Sequence, residues 1–167
     1  LDSINNPLEN SLDKLKSLKE LTMDSYRQPL NRSLDKLNLK VLSLYNYNNP
    51  LNDSLNNLVN LKNLKLDSYN KKLDDSLDNL IKLEILELDS YDKKLDDSLS
   101  NLVNLKELYL RNYNQPLDDS LDNLVNLEKL ILYLYDYPLS ESLTKLKNLK
   151  VLELNFYSQE LVDYLNN

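Results

Sequence analysis

The sequence predicts an α/β solenoid, a coil with a parallel β-sheet along one side and short helical or 3-10 segments along the other. Three observations predict it. First, the hexad Leu61-Lys62-Asn63-Leu64-Lys65-Leu66 returns as Leu83-Glu84-Ile85-Leu86-Glu87-Leu88 and as Leu105-Lys106-Glu107-Leu108-Tyr109-Leu110, 22 residues later each time. A fixed period of that length marks stacked supersecondary units. Second, each hexad ends in apolar–polar–apolar alternation, the period of a strand with one buried face. Third, roughly sixteen residues separate successive strands, enough for the crossover that parallel pairing requires.

The units begin near Leu18, Leu39, Leu61, Leu83, Leu105, Leu127 and Leu149, after a partial unit at 1–17, so residues 1–167 read as one domain of about eight units. The unit from Leu18 has 21 residues, one fewer than the next five, which predicts a tighter outer turn there. At ~4.8 Å per strand the stack is roughly 40 Å long. Leucine fills 45 positions while the mean hydropathy is only −0.55, so the apolar residues are concentrated on a schedule.

Each part of the unit has a physical reason. The leucines at its fourth and sixth positions face the interior from the strand. A tyrosine follows in each of the seven units from Leu18 onward (Tyr26, Tyr47, Tyr69, Tyr91, Tyr113, Tyr135, Tyr157), with Ile4 in that column at the start. It reads as a stacked core row whose hydroxyls reach a backbone group or water. Leucines three apart, as in Leu121-Asp122-Asn123-Leu124, suit a short helical or 3-10 turn. The preceding serine (Ser11, Ser33, Ser54, Ser76, Ser98, Ser120, Ser142) fits an N-cap worth about 0.5–2 kcal/mol. Glycine is absent, so backbone positions with positive φ are expected to fall mainly to Asn or Asp.

These residues resemble the leucine-rich repeat family. Leu105-Lys106-Glu107-Leu108-Tyr109-Leu110 matches its strand and Ser120-Leu121-Asp122-Asn123-Leu124-Val125-Asn126-Leu127 its outer segment. Tyr47-Asn48-Asn49-Pro50-Leu51 and Tyr113-Asn114-Gln115-Pro116-Leu117 are similar to the Phe-Asn-x-Pro corner of FNIP-type repeats of amoebae and giant viruses. Tyrosine replaces that Phe, the aromatic sits one place nearer the strand, and Lys72 and Lys94 stand in the Pro column. The resemblance implies a right-handed coil, with the parallel β-sheet on its concave face and the short helical or 3-10 segments on its convex face, and a module that binds proteins, often beside an adaptor such as an F-box. The lack of Ala and Gly, with abundant Asn, Lys and Tyr, fits an AT-rich genome.

Composition narrows the function. No Cys and no His means no disulfide, no thiolate zinc site and no imidazole base. A net charge of −7 argues against nucleic acid. No run of 18 apolar residues suggests a membrane span, and no basic-then-apolar leader is visible. With the missing cysteine, that favours an intracellular setting. No nucleophile–base pair stands out, so no catalytic residue, cofactor or metal is expected. Asp67 with Asp89 and Asp75 with Asp97 would lie one strand apart, but Lys71, Lys72, Lys93 and Lys94 are near enough to balance them, and no calcium-loop spacing is present.

Outward strand positions, the third, fifth, seventh and eighth of each unit, differ most between units and form the expected partner surface. Tyr45, Asp67, Glu87 and Asp89 give its first half an acidic, hydroxylated character. Tyr109, Arg111, Ile131, Tyr133, Leu134 and Phe156 give the second half the aromatic, Arg and aliphatic composition of binding hot spots. The expected partner is a protein. Neither Leu1-Asp2-Ser3-Ile4 nor Val162-Asp163-Tyr164-Leu165 resembles a polar capping unit, so either more repeats lie outside this segment or chains stack end to end, and such self-association is the alternative reading.

Overall fold

A computed structural model describes residues 6–139 and 141–160. Seven strands appear in chain order: β1 (Glu20–Asp24), β2 (Val41–Tyr45), β3 (Asn63–Asp67), β4 (Ile85–Asp89), β5 (Glu107–Arg111), β6 (Lys129–Tyr133) and β7 (Val151–Asn155). They form one parallel sheet in the order β1-β2-β3-β4-β5-β6-β7. The register follows the sequence period: Leu64 pairs with Leu86, Leu86 with Leu108 and Leu108 with Leu130. A one-residue slip would bring a polar residue to the interior, and alternation holds the register against it. Between β1 and β2 the offset is 21 residues, Glu20 to Val41, and the pairing is undisturbed. The missing residue belongs to the column of Val59, Ile81, Val103 and Val125, which is 45–51% exposed, so its loss leaves the core intact.

Each turn closes on its neighbour through three layers. Leucines from the strands and the outer turns make a continuous core, with Leu42, Leu66, Leu88 and Leu110 fully buried. Beside them the seven tyrosines of this column, Tyr26 through Tyr157, stack with centroids 6.3–6.4 Å apart and planes within 4–8°. Each hydroxyl accepts a hydrogen bond from a backbone N–H of the preceding turn: Tyr47 from Leu30 at 3.0 Å, Tyr91 from Leu73 at 3.2 Å, Tyr135 from Leu117 at 3.1 Å. Tyrosine in place of Phe thus supplies an acceptor for a buried donor that would otherwise have none. Ile4, at the head of that column, lies outside the described residues, as do Leu1-Asp2-Ser3 and Val162-Asp163-Tyr164-Leu165.

On the outer side a third layer runs across the coil edge. The side-chain amides of Asn104, Asn126 and Asn148 donate to the carbonyls of Ile81, Val103 and Val125 in the preceding turn, at 2.7, 2.8 and 2.8 Å. Next to them, Lys62 and Lys106 flank Glu84 at 2.6 and 3.7 Å, and Lys150 meets Glu128 at 2.7 Å.

Two local expectations need correction. Three outer segments are 3-10 turns, at Asn52–Leu55, Asp96–Leu99 and Glu141–Lys145, and serine does not cap the first two. The first two turns start two residues before the serine, and Leu51 and Leu95 hold the cap position without a side-chain bond. Ser33, Ser54, Ser76 and Ser98 are buried inside the turn, and the N–H groups of Ser54 and Ser98 donate to the carbonyls of Leu51 and Leu95. Serine is there because a small residue fits that corner. The side chain of Ser142 lies outside the described residues.

Positive φ occurs in two columns. After the buried leucine that opens the outer segment it falls on Glu9, Asn31, Asn52, Asp74, Asp96 and Asp118, at 41–45°. After each strand it falls on Ser25, Asn46, Ser68, Ser90, Asn112, Leu134 and Phe156, at 52–57°. The first column follows the Asn/Asp expectation except at Glu9. The second carries serines and, at its end, two large apolar residues.

Candidate functional site

The exposed face of the sheet is built from the odd residues of each strand, half-buried in the burial pattern of β2 to β5. Strand pairing puts side chains of like position side by side, so neighbours on this face are set by the repeat itself. Lys65, Glu87, Tyr109, Ile131 and Glu153 form one row, and Asp67, Asp89, Arg111, Tyr133 and Asn155 the next.

The middle of this surface is a self-paired network. Arg111 reaches both Glu87 at 3.2 Å and Asp89 at 3.3 Å, and Lys65 lies 3.4 Å from Glu87. Lys65 also stands 5.5 Å over the Tyr45 ring, while Arg111 and Lys129 each lie 5.3 Å from the centroid of Tyr109. Cations over ring faces are favourable contacts. Tyr109 donates its hydroxyl to Glu107, and that bond, with partial burial, raises its pKa above the ordinary tyrosine value. The network therefore joins Tyr45, Glu87, Asp89, Tyr109 and Arg111, all singled out by sequence, with Lys65, Glu107 and Lys129, which were not. Glu107 and Lys129 stand in the third column of the unit, on the same face by alternation, and that alternation was the available signal.

At the β6–β7 end the character changes. Tyr133 and Phe156 meet edge to face, 5.3 Å between centroids and 79° between planes. Phe156 is 70% exposed and Leu134 is 47% exposed. Ile131 departs from expectation. It points to this face but is only 8% exposed and lies outside the main core cluster, so it forms a floor under its neighbours and is not an accessible contact.

At the β3 end Asp67 sits beside Tyr45 and Asp89 in register, and its carboxylate accepts from the Ser68 hydroxyl at 2.9 Å. Asp89 is neutralised by Arg111, whereas no ion pair among the described residues includes Asp67. On the flank, Lys93 pairs with Asp92 at 2.8 Å and Lys94 lies 3.9 Å from Asp118. Among the described residues no group of three or more carboxylates, histidines or cysteines could hold a metal ion. No described helix is long and apolar enough to cross a membrane.

No protein-family model matches the sequence, and no curated protein matches it. Solved structures do. The chain is 26% identical to an internalin (inlF) of Listeria monocytogenes, with TM-score 0.74 over 90% of this chain and 45% of that one. It is 25% identical to a leucine-rich repeat protein of Leptospira interrogans, with TM-score 0.76 over 98% of this chain and 44% of that one. The chain thus spans less than half the length of either protein. A plant peptide hormone receptor, RGFR1, solved in complex with RGF2, shares the fold at 22% identity and TM-score 0.65, over 90% of this chain and 27% of the receptor. The parallel coil is therefore that of leucine-rich repeat proteins, and such coils are found in complexes with protein or peptide partners.

Proposed function

We propose that the chain is a non-enzymatic protein-interaction module that engages its partner across the exposed face of the sheet. The observation that carries this reading is the pair of exposed side chains Leu134 and Phe156 beside the half-buried Tyr133. Five turns place a serine or asparagine after the strand, while these last two place a leucine and a phenylalanine there, in a left-handed backbone conformation unfavourable for both. Large apolar side chains held in an unfavourable backbone and left in solvent gain nothing for the fold. Backbone strain of this kind collects at functional sites, and exposed aromatic clusters mark interfaces.

The test is a pull-down with Tyr109, Arg111, Tyr133 and Phe156 changed together to Ser or Ala, with circular dichroism verifying the coil. The partner is expected to be lost; full retention by a folded variant would move the interface elsewhere. A second reading, self-association through the coil ends, is favoured by β7. It alone among the seven strands leaves its core-facing residues, Leu152 and Leu154, partly exposed. Light scattering over a concentration series separates the two, because a monomer at high concentration excludes stacking. The corners Tyr47-Asn48-Asn49-Pro50 and Tyr113-Asn114-Gln115-Pro116 support an FNIP-type origin of amoebal or giant-virus kind as part of the same proposal.

A further inference from the structure

We infer that the partner presents an extended polypeptide segment with a cationic side chain and a large apolar side chain about four or five residues apart, laid across the strands from β3 to β6. This inference rests on the sheet-face reading above and names the chemistry that face selects.

Three parts of the surface carry it. At the β6 end, Tyr133, Leu134 and Phe156 offer an open apolar seat already shaped by the edge-to-face contact of the two rings. In the middle, Arg111, Glu87, Asp89 and Lys65 satisfy one another, so that stretch presents no unbalanced cation to draw an acidic ligand. At the β3 end, the Asp67 carboxylate accepts from the Ser68 hydroxyl and takes part in no ion pair among the described residues. Over the whole face the outward strand positions hold seven carboxylates (Glu20, Asp24, Asp67, Glu87, Asp89, Glu107, Glu153) against three cations (Lys65, Arg111, Lys129). An anionic face with one apolar end complements a segment that is basic at one point and apolar at another.

The spacing follows from the sheet. Asp67 on β3 and Tyr133 on β6 hold the same position three strands apart, about 14 Å at ~4.8 Å per strand. An extended chain covers ~3.3 Å per residue, so about four or five residues bridge the two seats. A helix would need roughly twice as many residues for the same reach.

The experiment uses the full chain and fluorescein-labelled synthetic peptides, read by fluorescence anisotropy. One peptide carries Arg and Phe separated by four serines. Controls carry the pair adjacent, Glu for Arg, or Ser for Phe. The spaced peptide is expected to bind at least about tenfold more tightly than each control, since one lost seat corresponds to about that factor. Asp67→Asn should weaken it about tenfold and flatten its salt dependence, and Phe156→Asn should weaken it by about tenfold while the circular dichroism spectrum is unchanged. Four peptides binding within about twofold of one another, no binding of the spaced peptide at millimolar concentration, or an unaffected Asp67→Asn would each overturn the inference. A random dodecamer library panned on the chain separates this failure from that of the underlying reading. Binders lost on the fourfold sheet-face variant but lacking the Arg–Phe pairing sink only the partner chemistry. Binders indifferent to that variant sink both.

Discussion

Tyr91 sits near the centre of the stacked row, and its hydroxyl is the acceptor for the buried N–H of Leu73 at 3.2 Å. Tyr91→Phe keeps the ring, its 6.3 Å spacing to Tyr69 and Tyr113, and the surrounding leucines, and removes only that oxygen. Leu73 is fully buried, so its N–H cannot turn to solvent and is left unpaired. An unsatisfied buried donor costs about 1–3 kcal/mol. At about 2–4 °C per kcal/mol for a chain of this size, the melting temperature should fall by roughly 4–8 °C for a cost near ~2 kcal/mol. Urea unfolding followed by circular dichroism is the assay, with an unchanged slope showing that the same surface is exposed. Tyr157→Phe, at a half-buried position, should cost less. A Tyr91→Phe midpoint equal to that of the parent would refute the reasoning, because the Leu73 N–H would then have another acceptor.

Three more outcomes follow from the same geometry. Burial pushes the hydroxyls of Tyr47, Tyr69 and Tyr135 up to about 12, and those of Tyr91 and Tyr113 higher still. In the unfolded chain they titrate near ~10. Their contribution is therefore complete below about pH 10 and is lost as pH rises through about 12; tyrosinate absorbance and loss of the strand signal should change together. Separate titration of the column near pH ~10 with the coil intact would contradict this. Leu134→Asn should raise stability by about 1 kcal/mol, since Asn tolerates positive φ better and the leucine is half exposed; a lower urea midpoint would mean that the side chain packs inward. Glu84→Gln, which removes the partner of Lys62 and Lys106 at an exposed edge, should cost less than about 1 kcal/mol. That cost should vanish in roughly molar salt, where the screening length is only ~3 Å.

The register of all seven strands was legible because period and alternation act on every unit alike, and one wrong step would place a polar side chain such as Lys65 or Glu87 in the core. The tyrosine row was legible for the same reason, but whether its hydroxyls met a backbone group or water was settled only by the fold, which sets each against an amide of the preceding turn. The serine column misled because Ser-Leu-x-x-Leu reads the same whether serine precedes a helical turn or lies within it. Backbone direction at Leu51 and Leu95 decides that, and no side chain there announces it. Ile131 misled because strand alternation gives the direction of a side chain and not what covers it. The pairing of Arg111 with two carboxylates from β4 likewise depends on side-chain reach, which spacing in the sequence leaves open. Leu134 and Phe156 were recognisable as exceptions to their column, but their unusual backbone conformation was not.

The tyrosine bonds also give the coil a direction. Every hydroxyl serves an amide about eighteen residues earlier, so each turn is a latch on the one before it. Parting two turns anywhere in the stack breaks one such bond and opens both its amide and its hydroxyl to water, so the bond forms only when the later turn closes on the earlier one. During synthesis, each new unit secures the one that has just left the ribosome.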